Sequence, residues 1–174
     1  MPSWKARPSS ETYGLLGRVY KDRWEKTVER GEALLARGLL DRAIEAYLHG
    51  FEADWRDAYP GVNSITLMEL RDPPDARRER LIPVVTNAVE RRLSTGKADY
   101  WDHATLLELA VLAGDQSRAL QALSNALAAV RERWDPETTA RNLRLIYEAR
   151  ERREGSPPWI KEVENALKSR AASL

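Results

Sequence analysis

Apolar residues recur along this chain at three- and four-residue spacing, and no stretch alternates apolar and polar positions with period two. The pattern predicts helices throughout and no sheet. The first helix takes Ser9 or Ser10 as its cap, with Glu11 and Thr12 in the first turn, and runs through Trp24. Helical spacing then continues through Thr27, Gly31, Leu34 and Leu35 up to Gly38, and leaves open whether this is one long helix or two. A second pattern begins at Gly38. Pro60-Gly61 reads as a break before a short helix over 62–70, and residues 71–75, Arg-Asp-Pro-Pro-Asp, read as a loop. A helix over 76–94 puts Leu81, Val85, Ala88, Val89 and Leu93 on one side. Pro83 lies within it and predicts either a kink or a start near Leu81.

The segment 99–113 is the most apolar, and Gly114-Asp115 ends it as a C-cap. Residues 116–133 keep Leu120, Leu123, Leu127 and Val130 in helical register. Asp135 as cap and Pro136 in the first position open the next helix, which runs to about Glu154. After the break at 155–158, Trp159 to Lys168 gives an eighth helix with Ile160, Val163 and Leu167 facing inward.

Part of this pattern repeats. Gly38, Ala43, Tyr47 and Gly50 share their offsets with Gly114, Ala119, Leu123 and Ala126, 76 residues later. That separation is near twice the period of about 34 residues of tetratricopeptide helix pairs. The chain is therefore predicted to be all-α, a tetratricopeptide-like right-handed α-solenoid of about four helix pairs. Residues 1–9 read as a tail and 10–174 as a single domain. Such a stack has a concave surface lined by the first helix of each pair.

On the first helix, Tyr13, Leu16, Tyr20 and Trp24 form one stripe, and Arg18, Lys21 and Asp22 gather opposite with Gly14. The stripe is expected to pack, so that Leu16→Asp would unfold the pair. Gly14 and Gly17 each weaken an isolated helix by roughly 1 kcal/mol relative to Ala, which predicts close approach of another backbone. The charged side admits two readings: a solvated ion-pair face, or a polar patch lining a groove.

At this point the residues reach a resemblance. Glu11-Thr-Tyr-Gly-Leu-Leu-Gly-Arg-Val-Tyr-Lys-Asp22, Arg42-Ala-Ile-Glu-Ala-Tyr-Leu-His-Gly-Phe-Glu52, Tyr59-Pro-Gly-Val-Asn63, Tyr100-Trp-Asp102 and Leu109-Ala-Val-Leu-Ala-Gly-Asp115 occur in that order. Together they resemble the tetratricopeptide-type TRAFs-binding domain of the apoptosis signal-regulating kinases, a family with bacterial relatives. The resemblance covers roughly residues 10 to 150. It implies a partner-binding region without kinase motifs, and it marks Tyr59, Asn63 and Asp102 as matching polar positions. It also implies a second role, since bacterial relatives of the family act in nucleotide-linked signalling and defence.

Composition narrows the chemistry. The 174 residues are 43% hydrophobic and 32% charged, ordinary for a core-forming domain. Lys plus Arg number 28 and Asp plus Glu 27, a net charge of +1, so no global field draws nucleic acid or an anionic membrane. There are no cysteines and only His49 and His103, which leaves no thiolate nucleophile, disulfide or histidine-rich metal centre. No cofactor is expected. The sequence holds neither a signal-peptide core nor an apolar run long enough to span a membrane, which predicts a cytoplasmic protein. Arginine outnumbers lysine, as in GC-rich bacterial genomes.

The candidate ligand- or partner-binding residues are Arg18, Lys21, Asp22, Tyr59, Asn63, Trp101, Asp102 and Glu108. The first three project into the concavity if the aromatic stripe packs. Trp101 and Glu108 lie nearer the groove because Leu107, Ala110, Val111 and Gly114 pack. Each has a plainer reading: Tyr100 and Trp101 as packing aromatics, Asp102 and Asn63 as helix caps, His103 as a packed or surface histidine. Arg77, Arg78 and Arg80, like Arg150, Arg152 and Arg153, alternate with Glu and read as solvated. Trp4 and Trp159 read as aromatics near the ends that contact something else.

The leading function is a non-enzymatic interaction module of a signalling or defence system, holding a protein partner or peptide in the groove. The alternative is a sensor of a nucleotide-derived molecule, with Arg18 and Lys21 on phosphate and Tyr59 or Trp101 stacked on a base. No glycine-rich phosphate loop accompanies it. A hydrolase using Asp22 and Glu108 needs a defined carboxylate separation, and nucleic-acid binding needs a basic stripe.

Overall fold

The computed structural model describes residues 8–174, and these form eight α-helices with no strand among the described residues. They are α1 (Ser10–Glu29), α2 (Ala33–Ala53), α3 (Ala58–Leu70), α4 (Arg77–Leu93), α5 (Tyr100–Ala113), α6 (Gln116–Ala129), α7 (Trp134–Arg153) and α8 (Pro158–Ala172). Sequence neighbours pack in pairs: α1 on α2, α3 on α4, α5 on α6 and α7 on α8. In addition α3, α5 and α7 pack on one another, and α1 touches α3. The first helices of the pairs thus gather on one side. The Trp4 reading lies outside the described residues.

Local chemistry fixes the boundaries, and several differ from the sequence reading. The stretch from Glu25 to Gly38 is divided: Gly31 adopts a φ of 73°, which favours glycine, and α2 starts at Ala33. Leu34 and Leu35 only imitate a continuing stripe, because both are exposed. Gly38 is no boundary and sits exposed within α2 with nothing around it. Pro60-Gly61 is no break either. Proline is tolerated in a first turn, where its missing N–H has no intrahelical acceptor, so α3 starts at Ala58 with Asp57 accepting from the Tyr59 N–H. Asn63 then lies inside the helix and donates to the Tyr59 carbonyl at 2.9 Å, so it is not a cap.

Helix α4 starts at Arg77 and continues through Pro83. Helix α6 stops at Ala129, short of the expected Arg133, and its buried face is Ala119, Ala122, Leu123 and Ala126 with Leu120 outside. Asp135 falls in the first turn of α7 rather than before it, and its carboxylate accepts from the Arg131 and Glu132 N–H groups. Gly114 is a left-handed C-cap as expected.

The largest core cluster joins Phe51, Ile65, Val85, Leu107, Leu143, Ile146, Ile160 and Leu167, with Trp159 packed against it rather than exposed. A second cluster centres on Ile44, Tyr47, Leu67 and Met68 and receives Tyr20 and Trp24 from α1. The packing face of α1 is centred on the buried Gly14, Gly17 and Thr27. Leu16 sits at the edge of the predicted stripe and falls outside the contact, 42% exposed. What approaches Gly17 is the Tyr47 ring, not a backbone.

One polar cluster locks these layers together. Glu69 on α3, buried, accepts from Arg78 of α4 at 2.9 Å and from Arg150 and Arg153 of α7 at 3.0 and 2.6 Å. Arg150 also donates to the Val111 and Leu112 carbonyls at the end of α5, and Arg153 to the Glu69 carbonyl. Three arginines that read as solvated are therefore structural, because a buried carboxylate stays ionised only where cations and hydrogen bonds replace water. Burial pushes the Glu69 carboxyl up, but the Arg150 hydrogen bond and the charges of Arg150, Arg78 and Arg153 outweigh it and hold the group below its ordinary value.

Candidate functional site

The gathered first helices enclose a cleft of about 940 Å³. All eight candidate residues line it. Arg18, Lys21 and Asp22 come from α1, Tyr59 and Asn63 from the start of α3, and Trp101, Asp102 and Glu108 from α5. The α1 trio reaches the cleft although its packing face is rotated from the one predicted. Tyr47, buried beside Gly17, also contributes to the wall, and its ring meets Tyr59 edge-on with centroids 6.1 Å apart. Burial, then the neighbouring Tyr59, pushes the Tyr47 phenol well above its ordinary value, so it stays a neutral hydroxyl.

Glu108 is buried, with only 7% of its surface accessible. The Thr66 hydroxyl donates to its Oε1 at 2.6 Å and the Asn142 amide to its Oε2 at 3.4 Å. Burial raises its pKa, and the Thr66 hydrogen bond, the Lys21 charge and the Asn142 amide only partly offset that. Among the described residues no hydrogen bond joins Glu108 to Asp22.

Asp102 has structural work to do. It completes a capping box with Asp99, accepting from the Asp99 N–H at 3.0 Å while Asp99 accepts from its own N–H at 3.1 Å. Arg92 of α4 pairs with it at 2.8 Å. Tyr100 belongs to the core, its hydroxyl 2.7 Å from that of Thr139, and burial pushes its phenol up to about 12. Trp101 is different. At 38% exposure it stacks obliquely on Trp134 of α7, centroids 5.4 Å apart and planes 32° from parallel, and both rings line the cleft. His103 is partly buried, and its Nδ1 has no hydrogen-bond partner among the described residues.

The sequence reading missed the wall supplied by α7: Trp134, Thr138, Thr139, Arg141 and Asn142. The signal was present, since these positions follow helical spacing on the first helix of the fourth pair. Arg141 also pairs with Glu25 of α1, joining the first and last pairs beside the cleft. Arg56, which lines the loop end, is held in a two-pronged pair with Asp54.

Residues 3–165 match the MAP3K TRAFs-binding domain family. The chain belongs to this family. Mitogen-activated protein kinase kinase kinase nsy-1 of Caenorhabditis elegans is 29% identical over 143 residues. That match covers 79% of this chain and 9% of the kinase, so the chain spans about a tenth of the length of the relative. In this TRAFs-binding domain the positions on which the sequence resemblance rests divide in two. Gly17, Tyr47 and Gly50 hold α1 on α2, whereas Arg18, Asp22, Tyr59 and Asn63 line the cleft. Among the described residues no helix is long and apolar enough to cross a membrane.

Proposed function

We propose that this TRAFs-binding domain is a non-enzymatic protein-interaction module whose cleft receives a segment of a partner protein. Membership of a family described by what it binds supports the module, and one observation supports the cleft. Residues from α1, α3, α5 and α7 meet there around unpaired side-chain charges and an exposed tryptophan pair, the mixture typical of peptide-binding centres. The pairing of neighbouring helices, with the first of each pair facing the cleft, supports a tetratricopeptide-like solenoid, tightly curled because α7 returns to α3. The test compares proteins captured from a lysate of the source organism by the wild type and by Trp101→Ala, followed by titration of each purified partner. Partners that bind both forms equally would refute the cleft as the binding surface.

A second reading is a sensor of a nucleotide-derived ligand. The cleft volume lies within the range of small-molecule sites, about 300–1,000 Å³, and the Trp101–Trp134 pair offers a stacking platform. A thermal-shift panel of nucleotides, dinucleotides and their cyclic and ribosylated derivatives separates the two. A ligand at 100 times its dissociation constant stabilises by about 2.7 kcal/mol, and Arg18→Glu abolishes the shift if the site is this one. A flat panel removes the sensor reading.

A further inference from the structure

We propose that a second cavity, separate from the cleft, binds a neutral, largely apolar small molecule. It encloses about 430 Å³ between α4, α5 and α6 and shares no lining residue with the cleft. Both α4 and α6 pack on α5, and the space between them is left open. The sequence of α4 supplies a reason. Pro83 has no N–H to give the Glu79 carbonyl, and the Thr86 hydroxyl donates to the Ile82 carbonyl at 2.7 Å. Each is a local device that bends a helix, and Ile82, Pro83 and Thr86 all line the cavity.

The lining selects the chemistry. Leu109, Ala110 and Ala122 supply a buried apolar wall, and Ile82 and Leu106 are only partly covered by the core, so apolar surface faces the cavity. An apolar ligand body removes that surface from water, and the volume falls within the range of small-molecule sites, about 300–1,000 Å³. Charge is the second filter. The lining holds two carboxylates, Glu90 and Asp115, against one guanidinium, Arg118, which disfavours an anion. A cation finds both acids engaged: Glu90 pairs with Arg118 at 2.8 Å, and Asp115 caps α6, accepting from the Arg118 N–H at 3.0 Å. The neutral amides of Gln121 and Asn125, one turn apart on α6, remain to orient a carbonyl, hydroxyl or amide of the ligand. The Glu90–Arg118 pair also joins the α4 wall to the α6 wall. That bridge interrupts the groove, so a compact molecule fits where a partner helix running its length does not.

The experiment titrates N-phenylnaphthylamine, a neutral aromatic amine that fluoresces in apolar surroundings, into the full chain. Anilinonaphthalene sulfonate, the same skeleton carrying a sulfonate, is the charge control. Ala113→Phe and Gln121→Phe each bring a ring into the cavity from an exposed position. Both are checked for circular dichroism and melting temperature, and one folded variant is enough. The expected result is saturable binding of the amine at one site, roughly tenfold or more weaker in the filled variants. Trp101→Ala, which alters only the cleft, binds the amine as the wild type does. The sulfonate binds the wild type roughly tenfold or more weakly than the amine, because its charge enters an apolar site whose one cation is already paired. Loss of amine binding in Trp101→Ala but not in the filled variants would move the site to the cleft and overturn the inference, without touching the partner-binding reading. Equal affinity for the two probes overturns the neutral assignment. Absence of saturable amine binding overturns the inference outright, and self-association that Ala113→Phe abolishes would then make the groove a docking face for a second copy.

Discussion

The ring of Tyr47 lies so close over Gly17 that a Cβ at that position would meet three ring atoms at 2.7–2.8 Å. Tyr47 is buried between α1 and α2, packed in the second core cluster. Gly14, one turn earlier, has its nearest neighbour, a Tyr59 ring atom, at 3.5 Å, an ordinary contact. The two glycines therefore respond oppositely to alanine. Gly14→Ala is stabilised by up to about 1 kcal/mol through helix propensity. Gly17→Ala gains the same propensity but suffers an overpacking cost of about 1–3 kcal/mol, and melts lower than wild type. Urea unfolding of both variants checks this, and equal behaviour would show that the Tyr47 ring yields.

Much of this fold was legible in the sequence because helical periodicity is local. Leu81, Val85 and Val89, or Ile160, Val163 and Leu167, identify an inner face with no knowledge of what it meets. Boundaries were less legible. Leu34 and Leu35 continue the spacing of α1 yet are exposed, and only the backbone at Gly31 shows where the turn falls. The convergence of Arg18, Trp101 and Glu108 followed from placing them on the first helices of their pairs, whereas Asn63 came only from the family resemblance. The Glu69 cluster was invisible. Its partners Arg150 and Arg153 lie 81 and 84 residues away, and an arginine in an Arg-Glu run looks the same whether it meets water or a buried carboxylate.

That cluster makes a prediction with a definite sign. Glu69→Ala leaves three guanidinium groups facing one another without their shared anion, two of them largely buried, and should cost about 3–5 kcal/mol. The cluster also links stability to pH. The folded-state pKa of Glu69 lies below its ordinary value of 4.5, so the unfolded chain binds the proton more readily. Its contribution is present above the unfolded value and disappears as pH falls through the folded value. Urea midpoints measured from neutral pH down through 4.5 should drop in the wild type, and drop less in Glu69→Gln. Parallel curves would place the acid sensitivity elsewhere.

Glu108 carries the opposite sign. Its folded pKa is raised, chiefly by burial, so its ionised form is less comfortable folded than unfolded. Its favourable contribution is complete below the ordinary 4.5 and is lost as pH climbs through the raised value. Gln at this position keeps an acceptor for the Thr66 hydroxyl and removes the charge. Glu108→Gln should therefore melt higher than wild type at neutral pH, with the gap closing at acidic pH. A variant that melts lower at neutral pH would mean that the charge, beside Lys21, is needed for folding.

Leu16 and Arg18 sit two residues apart on α1 and were expected to divide the labour between packing and binding. The structure keeps one half of that division. Arg18 is exposed and lines the cleft without an ion pair to any described residue, so Arg18→Glu should change stability by less than about 0.5 kcal/mol. The binding of an anionic cleft ligand should nevertheless weaken by roughly tenfold or more, because the charge at this position is reversed. Leu16 lies outside the packing face, and burial of an unpaired carboxylate does not arise when the side chain reaches water. Leu16→Asp should fold with a melting temperature close to wild type and bind normally, whereas Tyr47→Asp, placing the charge in the buried contact of α1 and α2, should unfold the domain. Thermal melts of the three variants with a titration of the cleft ligand decide the matter. A Leu16→Asp variant that fails to fold would show that α1 packs through its outer face, and the assignment of Arg18 to the cleft would fall with it.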